Sequence, residues 1–377
     1  MIVYTVRPGD TLSAIARRFG GSAEELARVN QLSDPNRLIP NLALLVPGSS
    51  GASRRDALVN AYAYPGVAGA VLRETLPSLS FLCPFSRRLT EKGELLPLDD
   101  TRMTEAALEA DTAPFLTVTN LGESGGFSSR IAHAVLTEQA AQDAALRNIF
   151  DTLAAGRWAG VNFNLEYVYP FDRDSYSQFL RRAAELLHRG GWLLSTAIAP
   201  KESAAQEGLL YSAHDYAAQG QICDWVVLMT YEWGYTYSAP QAVSPVDRIR
   251  RVLDYAVTVM PPGKILLGFS NYGYRWRLPW RQGDAAAVIS NAAAQNLAVS
   301  TRAQLQYDER AAAPHFVYTD AEGQRGEVWY EDARSALARL KLAEAYGLGG
   351  ISIWTVDQLN RPLLLLIQDR FNVMKIL

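Results

Sequence analysis

The sequence predicts an α/β protein whose main part is a closed (β/α)8 barrel, a TIM barrel, preceded by a small βααβ module. Two observations carry this prediction. From residue 56 onward, near-continuous apolar runs alternate with amphipathic helical segments, which is the pattern of a parallel sheet that helices cover on both faces. Eight such runs fall between residues 56 and 377, and eight strands are what a closed barrel requires. An open, doubly wound sheet is the alternative architecture.

The eight predicted strands are short apolar runs with helical segments between them. They lie at 58–64, 79–85, 115–120, 160–166, 193–199, 224–231, 264–272 and 349–354. Amphipathic helices are predicted, for example, over 244–260 and 333–347. The interval between strands seven and eight is too long for one helix, and it contains two alternating segments joined by a DAEG turn. We therefore predict a small α+β insertion at about 275–332, with an antiparallel hairpin, standing on the C-terminal rim of the barrel.

The N-terminal module is predicted from its turn and capping residues. Residues 2–6 form a strand, and the turn RPGD leads to a helix through LSAIARRF that Asp10 or Thr11 caps. Ser22 and Glu25 form a capping box for a second helix, AEELARVN. A loop, QLSDPNRLIPN, then leads to a second strand, LALLVP. The order is therefore β-α-α-β.

These patterns divide the chain into three parts. The module occupies 1–47, and the Gly/Ser-rich segment 48–55 is predicted to be a linker. The barrel with its insertion occupies 56–377.

Composition and charge exclude several classes of function. The 377 residues are 49% hydrophobic, and the formal net charge is −3 with a pI near 5.9. A basic surface for nucleic acid or anionic membrane is therefore not expected, and neither partner is predicted. No apolar run approaches membrane-spanning length, and no secretory signal is visible in MIVYTVRPGD. Eight Trp and 18 Tyr are available to line a sugar-sized cleft.

Metal, phosphate and cysteine chemistry have little support. None of the four histidines is paired at the spacing of metal ligands, so neither a metal nor a cofactor is predicted. They are His133, His188, His214 and His315. The glycine-rich stretch GESGGF matches no phosphate-binding fingerprint and is interpreted as a loop. Cys83 and Cys223 lie in apolar strand-like runs, and we predict that they are buried free thiols.

Polar and aromatic side chains gather where the predicted barrel strands end. In AGVNFNLEYVYP, residues 159–170, Asn162, Asn164 and Glu166 occupy alternate positions and so face the same way. The other strand ends contribute Tyr62, Met229, Tyr231, Glu232, Asn271, Tyr272 and Trp354. Catalytic residues of such barrels lie at this end of the strands. One clear carboxylic acid with a second nearby, among amides and aromatic rings, suits glycoside chemistry, in which the acid protonates the leaving oxygen.

The N-terminal module resembles a LysM domain. The resemblance rests on GDTLSAIARRF and VNQLSDPNRLIPNLALLVP and covers nearly the whole of 2–47. It implies binding to the N-acetylglucosamine backbone of peptidoglycan or chitin, between the first turn and the loop before the last strand. The residues implied are Gly9, Asp10, Thr11, Leu38, Ile39 and Pro40. The alternative is a small capped unit that only packs against its neighbour.

The barrel resembles glycoside hydrolase family 18. AGVNFNLEYVYP resembles that family's DGxxxDxE signature, and MTYEWGYTY, 229–237, resembles its M-x-Y-[DE] strand. The segments FLCPFSRRLTEKGELLPLDD, AIAPK, KILLGFSNYGYRWRLPW and EVWYEDARS resemble the branch that trims spore cortex peptidoglycan in spore-forming bacteria. The resemblance implies substrate-assisted, retaining hydrolysis, in which the 2-acetamido oxygen of the sugar attacks the anomeric carbon and forms an oxazolinium ion.

The same resemblance implies a role for each matching residue. Glu166 is the acid, Tyr231 holds the acetamido carbonyl, Glu232 tunes the acid, and Trp354 lies under the reacting sugar. Two positions depart from the signature, because its two aspartates are replaced by Ala159 and Asn164. The amide of Asn164 can accept the acetamido N–H but cannot balance the positive charge of the intermediate. Loss of one well-placed electrostatic group costs on the order of 10²–10³ in rate.

Two hypotheses follow from these patterns. The first is a hydrolase of N-acetylglucosamine-containing polymer, most naturally spore cortex peptidoglycan, with activity lowered by Asn164. The second is a catalytically inactive, carbohydrate-binding barrel of the spore coat or cortex. In both, the partner is a peptidoglycan or chitin-like polysaccharide, and the protein is expected to be a monomer made in the mother cell without a signal peptide.

Overall fold

The computed structural model describes residues 1–48 and 54–377 of the chain. The strands within these ranges are β1 Ile2–Thr5, β2 Ala43–Val46, β3 Arg55–Ala63, β4 Phe81–Pro84, β5 Arg87–Arg88, β6 Ala113–Thr119, β7 Gly160–Asn164, β8 Leu193–Ile198, β9 Trp225–Leu228, β10 Ile265–Ser270, β11 Gly273–Leu278, β12 Ala287–Ile289, β13 Gln306–Asp308, β14 Ala313–Thr319, β15 Arg325–Trp329, β16 Gly350–Trp354 and β17 Phe371–Val373. The helices are α1 Leu12–Arg18, α2 Ala23–Val29, α3 Gly69–Thr75, α4 Thr101–Glu109, α5 Ser129–Thr137, α6 Gln139–Ala155, α7 Arg173–Arg189, α8 Tyr216–Ile222, α9 Val246–Val259, α10 Asn291–Ser300, α11 Ala333–Ala345 and α12 Arg361–Arg370. Short 3-10 turns lie at Leu76–Ser78, Pro170–Asp172 and Pro262–Lys264.

Eight parallel strands close into a barrel. Their order is β3-β4-β6-β7-β8-β9-β10-β16, and β16 pairs back with β3 in a register that sets Ser352 against Asn60. Each strand overlaps one of the eight apolar runs. The closed barrel is thus confirmed and the open sheet is rejected, because both edges of the sheet are paired with each other.

The interior of the barrel is filled by large side chains. The ring of Phe81 on β4 lies 4.6 Å from that of Phe115 on β6 and 5.6 Å from that of Trp225 on β9, centroid to centroid. Because β4 and β9 are not neighbours in the sheet, the second contact crosses the interior. These rings fill the interior of the barrel at this layer, as side chains do in closed barrels of this kind.

A small α+β unit interrupts the barrel between β10 and β16, its seventh and eighth strands. It is an antiparallel sheet of order β12-β11-β15-β14-β13 with the helix α10. The predicted hairpin is β14–β15, in which Val317 opposes Glu327 across the turn at 320–323. The insertion is confirmed; its sheet begins at Gly273, and so it follows β10 almost directly.

The N-terminal module has the predicted βααβ order. β1 and β2 pair antiparallel, and Thr11 caps α1 by accepting the N–H of Ala14 at 3.2 Å. Asp10, the other candidate for this cap, instead accepts from the N–H of Arg7 and the hydroxyl of Tyr4, both at 2.8 Å. Of the predicted linker, 49–53 lie outside the described residues, and β3 begins at Arg55.

The module packs against the insertion. Leu12, Ile15 and Leu44 of the module belong to one continuous buried cluster with Ala298 and Phe316 of the insertion. The module and the barrel domain therefore share a hydrophobic core.

Both cysteines match their prediction. Cys83 and Cys223 are free thiols and are fully buried. Separately, none of the helices in residues 1–48 and 54–377 combines the length and the apolar character needed to cross a bilayer.

Candidate active site

A cavity of about 650 Å³ opens at the C-terminal end of the barrel. Its lining comes from the ends of several strands, as the sequence predicted. The lining includes Phe85 and Ser86 after β4, Asn164 and Glu166 at the end of β7, Met229, Tyr231 and Glu232 after β9, and Trp354 at the end of β16. The loop after β6 adds Leu121 and Phe127. One wall is thus apolar and aromatic, whereas the carboxylates come from β7 and β9.

Glu166 lies two residues beyond the last residue of β7 and lines the cavity. Burial raises the pKa of its carboxyl to about 7. A side-chain hydrogen bond from Asn164 lowers that pKa, and the nearby charge of Glu232 raises it. The carboxyl therefore keeps its proton up to about neutral pH, which is what a general acid requires.

Asn164 has one free hydrogen-bonding group. Its side chain is 3% exposed, lines the cavity and hydrogen-bonds to Glu166. Its Oδ1 has no hydrogen-bond partner among the described residues. A buried acceptor left unpaired costs about 1–3 kcal/mol. A ligand N–H entering the cavity would relieve this cost, so Asn164 is suited to accept from an amide.

Glu232 is held by two phenols, one just before the insertion and one on its first strand. Tyr272 precedes β11 and donates to Glu232 Oε1, and Tyr274 on β11 donates to Oε1 and Oε2 at 3.1 and 3.2 Å. Burial raises the pKa of Glu232, and these two hydrogen bonds lower it. Glu232 has φ of +67°, a left-handed conformation that costs a non-glycine residue about 1–3 kcal/mol. The surroundings therefore hold this carboxylate in a specific orientation.

Tyr231 and Trp354 present fixed aromatic groups to the cavity. Burial, followed by the charges of Glu166 and Glu232, raises the pKa of Tyr231, so its phenol stays protonated and can donate. The indole of Trp354 packs edge-on against Phe85 at 4.7 Å and at a tilt against Tyr62 at 5.3 Å, centroid to centroid. These contacts set the plane of the indole before any sugar binds.

Four residues predicted to contact substrate do not line the cavity. Tyr62 and Asn162 lie deeper in the barrel, where the Tyr62 hydroxyl donates to Asn162 Oδ1 and Asn162 Nδ2 donates to Ser195, both at 2.8 Å. Tyr272 acts through Glu232, as described above. The structure thus places Tyr62, Asn162 and Tyr272 outside the cavity lining, in positions that support it.

Asn271 is the fourth of these residues. Its side-chain amide donates to the carbonyls of Thr355 at 2.8 Å and Gln358 at 2.9 Å, and its Oδ1 accepts from Asn360. Every polar group of this side chain is engaged with the loop that follows Trp354. Asn271 consequently orders that loop and has no donor left for a sugar.

The predicted module residues meet in part at a different cavity. Asp10, Leu38, Ile39 and Pro40 line a space of about 600 Å³ at the edge of the module. Gly9 and Thr11 are not part of its lining. The departure at Ala159 touches neither site, because this residue precedes β7 and so lies at the opposite end of that strand from the active-site cavity.

Two buried side chains that position Glu166 were not predicted from the sequence. Asn120 follows β6, and its Oδ1 accepts the N–H of Glu166 at 3.0 Å while its Nδ2 donates to the carbonyl of Glu166 at 2.8 Å. His214 accepts the N–H of Ala199 at 3.0 Å and donates to the carbonyl of Leu165 at 3.1 Å. Burial lowers the pKa of His214 to about 4, so its ring is neutral. Asn120 is the last residue of the predicted strand 115–120. Its position at a strand end could have identified it as a site residue.

Substitution of Asn120 by alanine is expected to lower kcat by about 10- to 100-fold, because a small displacement of a catalytic group has effects of this size. The variant loses both hydrogen bonds to the backbone of Glu166. Initial rates as a function of pH are the measurement, with Asn148→Ala, a remote half-buried asparagine on α6, as the matched control. An unchanged kcat and pH profile in a less stable Asn120→Ala variant would limit Asn120 to a structural role.

A closed (β/α)8 barrel whose aromatic-walled cavity holds a carboxyl with a raised pKa is typical of the barrel class of glycosidases. The chain matches the family model "Glycosyl hydrolases family 18" over residues 117–358 and the LysM domain model over residues 4–47. This chain belongs to glycosyl hydrolases family 18, and it is a glycosidase that carries an N-terminal LysM domain.

Several relatives match across the whole chain. The cortical fragment-lytic enzyme of Bacillus subtilis (strain 168) is 41% identical, with 100% of this chain and 99% of that protein covered. The putative sporulation-specific glycosylase YdhD of the same organism is 30% identical, over 100% of this chain and 89% of that protein. The crystal structure of the Bacillus megaterium QM B1551 spore cortex-lytic enzyme SleL superposes with a TM-score of 0.83 at 34% identity, over 100% of this chain and 87% of that chain.

Proposed function

We propose that this glycosidase hydrolyses the N-acetylglucosamine-containing glycan of spore cortex peptidoglycan. The observation that carries the proposal is Glu166, an acid with a pKa of about 7, beside the unpaired acceptor of Asn164 in one cavity. An acid next to a free acceptor suits a sugar whose substituent is an acetamido group. The names of the relatives, a cortical fragment-lytic enzyme and a spore cortex-lytic enzyme, support cortex as the polymer.

The proposed reaction is substrate-assisted and retaining. Glu166 gives its proton to the glycosidic oxygen as that C–O bond breaks, and the acetamido carbonyl oxygen of the same sugar bonds to the anomeric carbon to form an oxazolinium ion. The now ionised Glu166 then accepts a proton from water, which attacks the anomeric carbon and opens the oxazolinium ring. Two displacements at the same carbon give net retention of configuration.

The other cavity residues hold the reacting sugar. Asn164 Oδ1 accepts the acetamido N–H, and the protonated phenol of Tyr231 donates to the acetamido carbonyl. The indole of Trp354 provides a flat apolar floor for the sugar ring. Glu232 contributes by raising the pKa of Glu166, and the phenols of Tyr272 and Tyr274 keep Glu232 oriented.

We propose a separate role for each part of the chain. We propose that residues 1–47 bind the polymer, that 48–55 join the two domains, and that 56–377 carry out hydrolysis. Attachment to the polymer raises the local concentration of cleavable linkages at the barrel. We place this action at the spore coat and cortex. The alternative of an inactive binding barrel is not favoured, because the acid and its tuning carboxylate are both in place.

Product release from defined substrates tests the proposal. We expect the wild type to release fragments from purified cortex glycan faster than from chitooligosaccharides of equal length, measured by chromatography with mass detection. The anomer formed first should retain the configuration of the substrate, as followed by NMR. Release from neither substrate would contradict the hydrolase, and release from chitooligosaccharides alone would contradict cortex as the substrate.

A further inference from the structure

We propose that the polymer-binding site of the LysM domain is composite: the insertion of the barrel completes it, and Arg302 and Gln304 of the insertion bind a carboxylate-bearing glycan there. The inference rests on the proposed function for the class of polymer. The site is the 600 Å³ cavity described above. Its module side is Asp10 with residues 36–41, and its insertion side is Val299 with residues 302–305. Neither domain alone encloses this space.

Hydrogen bonds fix the two sides relative to each other. Asn41 donates to the carbonyl of Leu305 at 3.0 Å, and Arg334 donates to the carbonyl of Asn41 at 3.0 Å. Asn296 of α10 accepts from both the N–H and the hydroxyl of Ser33 at 2.9 Å. The loop before β2 is therefore held at both ends by the barrel domain. A site that is ordered before binding loses less entropy when a ligand enters.

Buried amides and apolar residues reinforce the same contact. Gln295 donates to the carbonyl of Asn30 at 2.9 Å, and Leu305 and Val299 are buried in the core that the two domains share. Removal of the module would expose this apolar surface. The same buried contacts that hold the two domains together therefore also hold the insertion side of the cavity in place.

The insertion presents polar groups that are free to bind a ligand. The side chains of Arg302 and Gln304 are exposed at the cavity, and neither makes a hydrogen bond or ion pair within residues 1–48 and 54–377. On the module side, Arg37 pairs with the exposed Asp34 at 3.2 Å and with no other carboxylate of the part of the chain that the structure describes. Two guanidinium groups thus border the cavity, and a guanidinium suits a carboxylate because it can donate two parallel hydrogen bonds.

The remaining lining suits an N-acetylated sugar. Leu38, Ile39 and Pro40 give an apolar wall for the acetyl methyl group and the ring face. The carboxylate of Asp10 accepts from the hydroxyl of Tyr4 and the backbone N–H of Arg7, which hold it in place at the module side of the cavity. A chain of N-acetylated sugars that also carries lactyl or peptide carboxylates can contact the apolar wall and also bind the guanidinium groups. Neutral chitin can contact only the apolar wall.

Binding to two polymers tests the composite site. We prepare Arg302→Ala, Gln304→Ala and the double variant in the full chain, with Arg325→Ala, an exposed arginine of the insertion outside the cavity, as the matched control. Cosedimentation with purified peptidoglycan sacculi and with chitin beads gives the apparent Kd. We expect the double variant to bind sacculi about 10-fold more weakly, as expected for the loss of charge-assisted hydrogen bonds. Binding to chitin should change by less than about twofold, because the apolar wall is unchanged.

The readouts separate this inference from the proposed function. Turnover of short soluble cortex fragments should equal that of the wild type, because these residues do not line the active-site cavity and the fragments need no anchor. Double-variant binding to sacculi equal to that of the wild type would overturn the composite site. Equal losses on sacculi and chitin would overturn the carboxylate assignment. Wild-type protein that binds sacculi but cleaves nothing would refute the proposed function and leave this site standing.

Discussion

Glu166→Gln is expected to lower turnover of cortex glycan by about 10²- to 10⁴-fold, the usual contribution of a general acid. Glutamine keeps the shape of the side chain but has no proton to give to the leaving oxygen. Binding of substrate should persist, because Asn164, Tyr231 and Trp354 are unchanged. Initial rates and the Kd for a cortex fragment, measured on the same preparation, separate these two effects.

The loss of activity should not come with a loss of stability. The folded-state pKa of Glu166, about 7, is above the ordinary glutamate value of 4.5. The unfolded chain therefore releases this proton first, and folded stability falls as pH rises from about 4.5 to about 7. At about pH 8 the wild type carries this full penalty and the glutamine variant does not. We expect the variant's Tm at that pH to equal or exceed that of the wild type.

The matched control for this experiment is Glu105→Gln, the same change at an exposed position on α4. It should leave rate and Tm unchanged. A Glu166→Gln variant that retains the wild-type rate would exclude Glu166 as the proton donor and would direct attention to Glu232, the other carboxylate of the cavity.

Asn164→Asp is expected to raise kcat by on the order of 10²-fold, because one well-placed charge at a developing cation has an effect of this size. The substitution restores the carboxylate that the DGxxxDxE signature has at this position. Once ionised, the new carboxylate would balance the charge of the oxazolinium ion while still accepting the acetamido N–H. The expected change therefore appears in kcat more than in KM.

The pH profile provides a second readout for the same variant. In the wild type we expect activity to fall as pH rises through about 7, because Glu166 then loses the proton that it must donate. A carboxylate at position 164 opposes ionisation of Glu166 and removes the hydrogen bond that now lowers its pKa. The alkaline limb of the profile should therefore move to higher pH.

Asn148→Asp introduces the same charge at a remote position on α6 and serves as the control. A decrease in kcat for Asn164→Asp, with an unchanged alkaline limb, would contradict the electrostatic interpretation. It would show that the site is matched to an amide at position 164.

Period-2 alternation predicted which side chains of β7 face inward but not how deep they lie. Asn162 and Asn164 share one face of the strand, yet only Asn164 lines the cavity. Two residues along a strand correspond to roughly 6–7 Å. That distance places Asn162 beneath the cavity floor, where Tyr62 and Ser195 use its polar atoms. How deep a residue lies depends on the side chains that cover it, and in a barrel those side chains belong to other strands.

Local sequence patterns were sufficient to predict the closed barrel, the insertion, the βααβ module and the row of side chains that ends in Glu166. These features follow from periodicity, capping residues and turn chemistry, all of which neighbouring residues carry. Three other features became visible only in the tertiary structure. They are the raised pKa of Glu166, the hydrogen bonds from Asn120 to the backbone of Glu166, and the contact between module and insertion at Asn41 and Leu305. Each of these depends on desolvation or on contacts between residues far apart in the chain, which no local pattern records.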